Sequence, residues 1–109
     1  MSYITTHVLD ATAGRPASGI AVTLSAVATG EQIATGVTDA DGRIADLGPD
    51  RLESGHYRVD FSTGDYFAAR GQDTFYPQVS ITFNVSVDQA HYHVPLLLSP
   101  FAYSTYRGS

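Results

Sequence analysis

The chain has 109 residues and a formal net charge of -5, with 43% hydrophobic and 16% charged residues. This length fits one domain with one hydrophobic core, spanning residues 1–109. The acidic balance lacks the phosphate-neutralising surface of a general nucleic-acid or anionic-membrane binder. All six basic residues are arginines, which excludes Schiff-base chemistry on a lysine, and the lack of cysteine excludes disulfides and thiolate metal sites.

The first ten residues, MSYITTHVLD, contain neither the basic segment nor the apolar segment of a secretory signal peptide. No apolar stretch of the chain approaches the roughly 20 residues that a transmembrane helix needs. We therefore expect a cytoplasmic protein.

Apolar and polar residues alternate with a period of two along most of the chain, which predicts β-strands with one buried face. The segment IAVTLSA places Ile20, Val22 and Leu24 on one side, and ITFNVSVD alternates throughout. Turn signals separate such segments, and TDADGR carries the Asp-Gly pair of a hairpin. The pattern predicts eight strands, at about 3–9, 20–27, 32–38, 43–47, 56–62, 78–88, 92–98 and 102–107.

One segment, TGDYFAARGQ (Thr63–Gln72), has a threonine suited to capping, an early acidic residue and a glycine near its end. These features predict one short helix. Together with the strands they predict an all-β sandwich of two sheets with one short helix.

The run VPLLLS (Val94–Ser99) does not alternate. A strand of this kind is typically covered on both faces. Because the domain core can cover only one of them, we expect a second subunit to cover the other, and hence an oligomer.

Four histidines are candidates for chemistry. His91 and His93 are two residues apart on one strand and should share a face, whereas His56 is expected to be a surface residue. Histidine acts as general base, general acid or metal ligand near neutral pH. A metal site would need a third ligand, such as His7, Asp10 or Glu53, and the spacing supplies none convincingly. We therefore predict no metal and no cofactor.

The spacing alone does not decide the role of two arginines. Arg43 follows the Asp-Gly turn and Arg107 lies in the tail YSTYRGS, and each could be either a solvated side chain or part of a site. The DADG sequence resembles the start of a calcium loop, but the glutamate required downstream is absent, so it is predicted to be a turn.

Four segments carry a resemblance to a known family. These are HVLD near the start, GRPA after it, FYP before the long alternating strand, and HYHVPLLLSPFAYSTYRGS at the end. The chain resembles the transthyretin-related family, and the closing YRGS resembles its branch of 5-hydroxyisourate hydrolases rather than the hormone carriers. The resemblance implies two four-stranded sheets, a homotetramer, and active sites in a channel at the dimer–dimer interface.

The resemblance also implies roles for individual residues. Those implied as catalytic are His7, Arg43, His93 and Ser109. Those implied to bind the substrate are His7, Arg43, Tyr106, Arg107 and Gly108. His91 falls at a position with a weaker requirement. The implied reaction is attack of water on a cyclic amide carbonyl of 5-hydroxyisourate, assisted by histidine and stabilised by arginine, without a cofactor.

Two other functions stay open from the sequence. The first is a transthyretin-type carrier that binds a small aromatic ligand without chemistry. The second is an interaction or adhesion module, because β-sandwiches host many functions. The histidines, Arg43 and the YRGS tail favour the hydrolase, since a hydrophobic binding channel does not need them.

Overall fold

The computed structural model describes residues 2–109, which form two β-sheets and one helix. The first sheet has the order β2 (Arg15–Pro16), β1 (Ile4–Asp10), β8 (Tyr92–Ser99) and β9 (Ala102–Thr105), and β5 (Arg43–Ile44) also pairs with β1. The second sheet has the order β4 (Gln32–Val37), β3 (Ala21–Ala26), β6 (Gly55–Phe61) and β7 (Val79–Val85), and α1 (Thr63–Ala68) follows β6. The predicted all-β sandwich with one short helix is confirmed.

The boundaries differ from the prediction in a few places. The two-residue β2 lies in a segment expected to be a loop, which gives the first sheet a fifth strand. The helix ends at Ala68 rather than near Gln72, because tight turns follow it and Gly71 adopts a positive φ of 66°. No helix within residues 2–109 combines the length and the apolar character that crossing a membrane requires.

The core lies between the two sheets and follows the predicted alternation. In β1, Ile4 and Val8 are fully buried, and in β6 Val59 and Phe61 are fully buried as well. Residues at odd positions of β1 and β8 therefore face away from the core. This outer face of the first sheet carries His7 and His93, both half-buried within the single chain.

The helix is attached to the first sheet through a buried carboxylate. The Tyr66 hydroxyl donates to Asp10 Oδ2 over 2.7 Å, and Asp10 Oδ1 accepts from the backbone N–H groups of Thr12 and Ala13. Burial and the neighbouring Asp10 raise the pKa of Tyr66 to about 12. The tyrosine therefore stays protonated and keeps its donor role, so that Asp10 is satisfied inside the protein.

The turn before β5 fixes the start of that strand. Asp39 Oδ1 accepts hydrogen bonds from the backbone N–H groups of Asp41 and Arg43, over 2.8 and 3.0 Å. The Gly42 carbonyl accepts from the Val8 N–H over 2.7 Å, so the turn is also joined to β1. Side chain and backbone together place Arg43 beside the first strand.

Replacing Gly42 by alanine is expected to destabilise the protein more than the same change at Gly14. Both glycines have a similar positive φ, 73° and 70°, so each variant loses roughly 1–2 kcal/mol from the left-handed conformation. A Cβ on Gly42 would lie 2.3 Å from the Val8 oxygen, whereas one on Gly14 would meet nothing within 4 Å.

We therefore expect a further loss of about 1–3 kcal/mol at Gly42 alone, as in other overpacked sites. Urea unfolding of both variants at one protein concentration measures the difference. Equal losses would show that the turn does not need the close approach to β1.

Candidate active site

An open cleft of about 520 Å³ lies on the outer face of the first sheet. It is lined by residues of β1, β5, the start of β8 and the C-terminal tail. These residues are Thr5, Thr6, His7, Arg43, Ile44, Ala45, His91, His93, Tyr106, Gly108 and Ser109. The cleft therefore contains six of the seven residues predicted to form the site, all except Arg107.

Strand pairing brings the two histidines and Arg43 together. β1 and β8 run parallel, with Thr5 opposite His93 and His7 opposite Pro95. β5 pairs antiparallel with the other edge of β1, with Arg43 opposite His7. Residues opposite one another in a sheet project to the same face, so all three side chains line one surface.

Thr5 connects two imidazoles in the cleft. Its Oγ1 lies 2.8 Å from His93 Nδ1 and 2.9 Å from His91 Nε2. The two rings are nearly parallel, with their centroids 6.4 Å apart. Sequence reasoning did not select Thr5. Its position two residues before His7 placed it on the same face of β1, but nothing local indicated that β8 would be the neighbour.

The surroundings of His93 favour its neutral form by lowering its pKa. Burial is the largest cause that lowers its pKa from the usual 6.5, and the positive charge of Arg43, together with His7 and His91, lowers it further. A neutral imidazole can accept a proton, which is the property that a general base needs. Because Nδ1 is bonded to Thr5, Nε2 is the nitrogen left for the cleft.

The tail packs directly against His93. The Gly108 N–H donates to the His93 carbonyl over 3.0 Å, and this bridge keeps the register in which β9 pairs with β8. A Cβ on Gly108 would lie 2.5 Å from Cδ2 of the His93 ring. Only glycine therefore lets the backbone approach the imidazole this closely. Tyr106 and Ser109, on either side, reach the cleft.

Arg107 does not line this cleft. Its guanidinium donates to Gln89 Oε1 over 3.0 Å and lies 4.9 Å from the centre of the Tyr92 ring. It lines a neighbouring, mainly apolar cavity of about 450 Å³ next to β7, which shares His93 and Tyr106 with the cleft. The reason is the alternation of an extended chain, which turns Arg107 away from the face that Tyr106 and Gly108 share.

The remaining candidates do not join the cleft. His56 lies on β6 in the second sheet, opposite Asn84. Asp10 is engaged by Tyr66, and Glu53 is in the loop before β6. Across residues 2–109, no three side chains of histidine, aspartate or glutamate are grouped so that they could hold a metal ion.

Comparison with known proteins shows the family to which this chain belongs. Residues 4–108 match the model of the HIUase/Transthyretin family. The chain belongs to this family. A 5-hydroxyisourate hydrolase of Salmonella dublin is 47% identical over 111 residues, which cover 99% of this chain and 82% of that protein.

Solved structures of the HIUase/Transthyretin family share the same sandwich. A 5-hydroxyisourate hydrolase of Klebsiella pneumoniae matches with a TM-score of 0.89 and 40% identity, covering 100% of this chain and 94% of that one. Sea bream transthyretin in complex with thyroxine matches with a TM-score of 0.91 and 38% identity, covering 97% and 94%. The hydrolase and the thyroxine-bound transthyretin thus share one fold, so the fold alone does not distinguish their functions.

The pKa of His93 is expected to lie below 6.5 and to rise when Arg43 is replaced by glutamine. The guanidinium disfavours a second positive charge on the imidazole, so its removal makes protonation easier. NMR titration of the ring C–H signals measures both values. Arg58→Gln, on the second sheet, is the matched control and should leave the His93 pKa unchanged. An unchanged value in Arg43→Gln would contradict the contribution of Arg43.

Proposed function

We propose that this protein hydrolyses 5-hydroxyisourate, the product of urate oxidation, to the ring-opened ureidoimidazoline product. The observation that carries the proposal is the cleft in which His7, Arg43 and His93 meet the tail residues Tyr106 and Ser109. The relatives named 5-hydroxyisourate hydrolase, at 47% identity over nearly the whole chain, support the same substrate.

The residues supply what the hydrolysis of a cyclic amide needs. Water must lose a proton as its oxygen attacks the carbonyl carbon, and of the three histidines in the cleft His93 and His7 are the candidate bases. The carbonyl oxygen becomes negatively charged, and Arg43 offers planar paired donors to it. The ring C–N bond then breaks, and the leaving nitrogen takes up a proton from a protonated histidine.

The tail residues hold the substrate in this proposal. Ser109 and Tyr106 line the same cleft, so their hydroxyls can bind the oxygens of a flat heterocycle, and Gly108 borders it. A direct contact from Arg107 stays a prediction, and it requires the guanidinium to leave Gln89 and Tyr92. Arg107 itself is exposed, and the net energy of contacts made by an exposed guanidinium is small.

The decay of freshly generated 5-hydroxyisourate, followed by ultraviolet absorbance, tests the proposal. The protein should accelerate the decay above the spontaneous rate. His93→Ala should reduce kcat by about 10²–10⁴-fold as the loss of a general base, and Arg43→Ala by about 10²–10³-fold as the loss of an oxyanion donor.

His56→Ala is the control for the histidine change, because His56 lies on the second sheet and outside the cleft. It should keep full activity. No acceleration by the wild-type protein would overturn the proposal and favour a carrier. Near-normal rates in His93→Ala or Arg43→Ala would overturn the assigned roles while leaving the activity.

Gly108→Ala is expected to reduce kcat without unfolding the protein. The new methyl group would overlap the His93 ring, and the ring would have to leave its position. Since a displacement of about 1 Å can reduce a rate by about 10²-fold, we expect a loss of that order. Circular dichroism should show an unchanged fold. Full activity would mean that the contact between tail and imidazole is not needed.

We also propose a homotetramer with its active sites at the dimer–dimer interface. β7 and β9 end the two sheets, and their outer edges are left open in the single chain. Open edges readily pair with another copy, and the half-buried Leu97 on the outer face offers apolar surface for a second contact. A monomer in sedimentation velocity at micromolar concentration would contradict this assembly.

The single-domain organisation over residues 1–109 and the cytoplasmic location stay predictions. Limited proteolysis and cell fractionation test them.

A further inference from the structure

The hydroxyl of Thr5 lies between two ring nitrogens and has a single proton to give. The residue is buried, and the two histidine nitrogens are the groups within hydrogen-bond distance of Oγ1 among residues 2–109. A neutral imidazole has one N–H donor and one acceptor nitrogen. The direction of one of these two hydrogen bonds therefore sets the direction of the other.

Two arrangements satisfy all three groups. In the first, His93 donates its Nδ1–H to Thr5, and Thr5 donates its proton to His91 Nε2. In the second, His91 donates through Nε2–H and Thr5 donates to His93 Nδ1. The first leaves the lone pair of His93 Nε2 free for the cleft, whereas the second places a hydrogen on Nε2, where it cannot accept a proton from water.

We propose that Thr5 is a positioning residue that holds His93 in the Nδ1–H tautomer. In this arrangement Thr5 accepts a hydrogen bond from His93 Nδ1–H and donates one to His91 Nε2. The assignment rests on the proposed hydrolase function and identifies His93 Nε2 as the base. It also gives a role to His91, which lines the cleft without a direct part in the chemistry.

The charges around His93 favour the same arrangement. The titratable and charged side chains that line the cleft with it are His7 from β1, Arg43 from β5, His91 beside β8, and Tyr106 from the tail. Arg43 is the only one of these that is always positive. A lone pair on Nε2 directed into a cleft with a guanidinium is stabilised, and an N–H dipole directed there is not.

The relay also assists the transfer itself. When water attacks the carbonyl, one water O–H bond breaks, its electron pair stays on the attacking oxygen, and the proton forms a bond to Nε2. The ring is then an imidazolium, and Thr5 Oγ1 accepts its Nδ1–H. The Thr5 hydroxyl keeps its proton and continues to donate it in the hydrogen bond to His91 Nε2, so the only proton transferred is the one from water to His93.

The tautomer of His93 can be measured directly by NMR on protein with ¹⁵N-labelled histidine, without substrate, at a pH above the His93 pKa. Two-bond couplings between ring protons and ring nitrogens distinguish Nδ1–H from Nε2–H. We expect Nδ1–H in the wild-type protein. Nε2–H would overturn the proposal, whatever the protein hydrolyses.

Thr5→Val removes the hydroxyl and keeps the shape and β-branching of the side chain. We expect it to shift His93 toward the Nε2–H tautomer and to reduce kcat by about 10–100-fold. Loss of a side chain that hydrogen-bonds to a metal-bound histidine has an effect of this size in metalloproteins. KM should change little, because the tautomer affects the chemical step. Thr5→Ser keeps a hydroxyl and should restore both the tautomer and the rate.

Thr105→Val is the matched control in the same sheet, because it too removes a hydroxyl that is hydrogen-bonded to β8, here by donating to the Pro95 carbonyl over 2.7 Å. It should leave the His93 tautomer unchanged. If Thr5→Val retains the wild-type tautomer and rate, the relay is overturned. A protein that shows the expected tautomer but no hydrolysis would instead refute the proposed function alone.

Discussion

The parallel pairing of β1 with β8 is the constraint on which both the fold and the site depend. It is the most extensive strand pairing of the first sheet, and it places Thr5 opposite His93 and His7 opposite Pro95. A shift of one residue would turn the apolar side chains of β1 out of the core and the polar ones into it. Burial of Ile4 and Val8 therefore fixes the register, and the same register aligns the side chains that line the cleft.

Because side chains alternate between the two faces along each strand, the two faces of this sheet have different functions. The inner face packs against the second sheet, and the outer face holds titratable side chains that are only half-buried. Partial burial is useful here, because it lowers the pKa of His93 while leaving the cleft open to substrate. In an assembly that covered this face further, burial would favour the neutral imidazole still more.

The tail completes the site through the same hydrogen-bond register that builds the sheet. After β9 ends, Gly108 bonds to His93 again and brings Ser109 into the cleft. The close packing of Gly108 on the imidazole explains in physical terms why this position carries a glycine. It also links the position of the tail to the orientation of the ring, so that a change in either affects the other.

The sequence by itself determined eight of the nine strands, the short helix, the family, and six of the seven predicted site residues that meet in the cleft. These features could be predicted because alternation, turn residues and sequence motifs are all read from residues that are neighbours in the sequence. It also contained the signal that Arg107 faces away from Tyr106 and Gly108, since the three are consecutive in an extended segment. Only the tertiary structure decided that Thr5 lies between His91 and His93, and that Gln89 and Tyr92 hold Arg107. Thr5 is more than 80 positions away from both histidines in the sequence. Such contacts depend on which strands become neighbours, and this is decided by burial of the whole core at once.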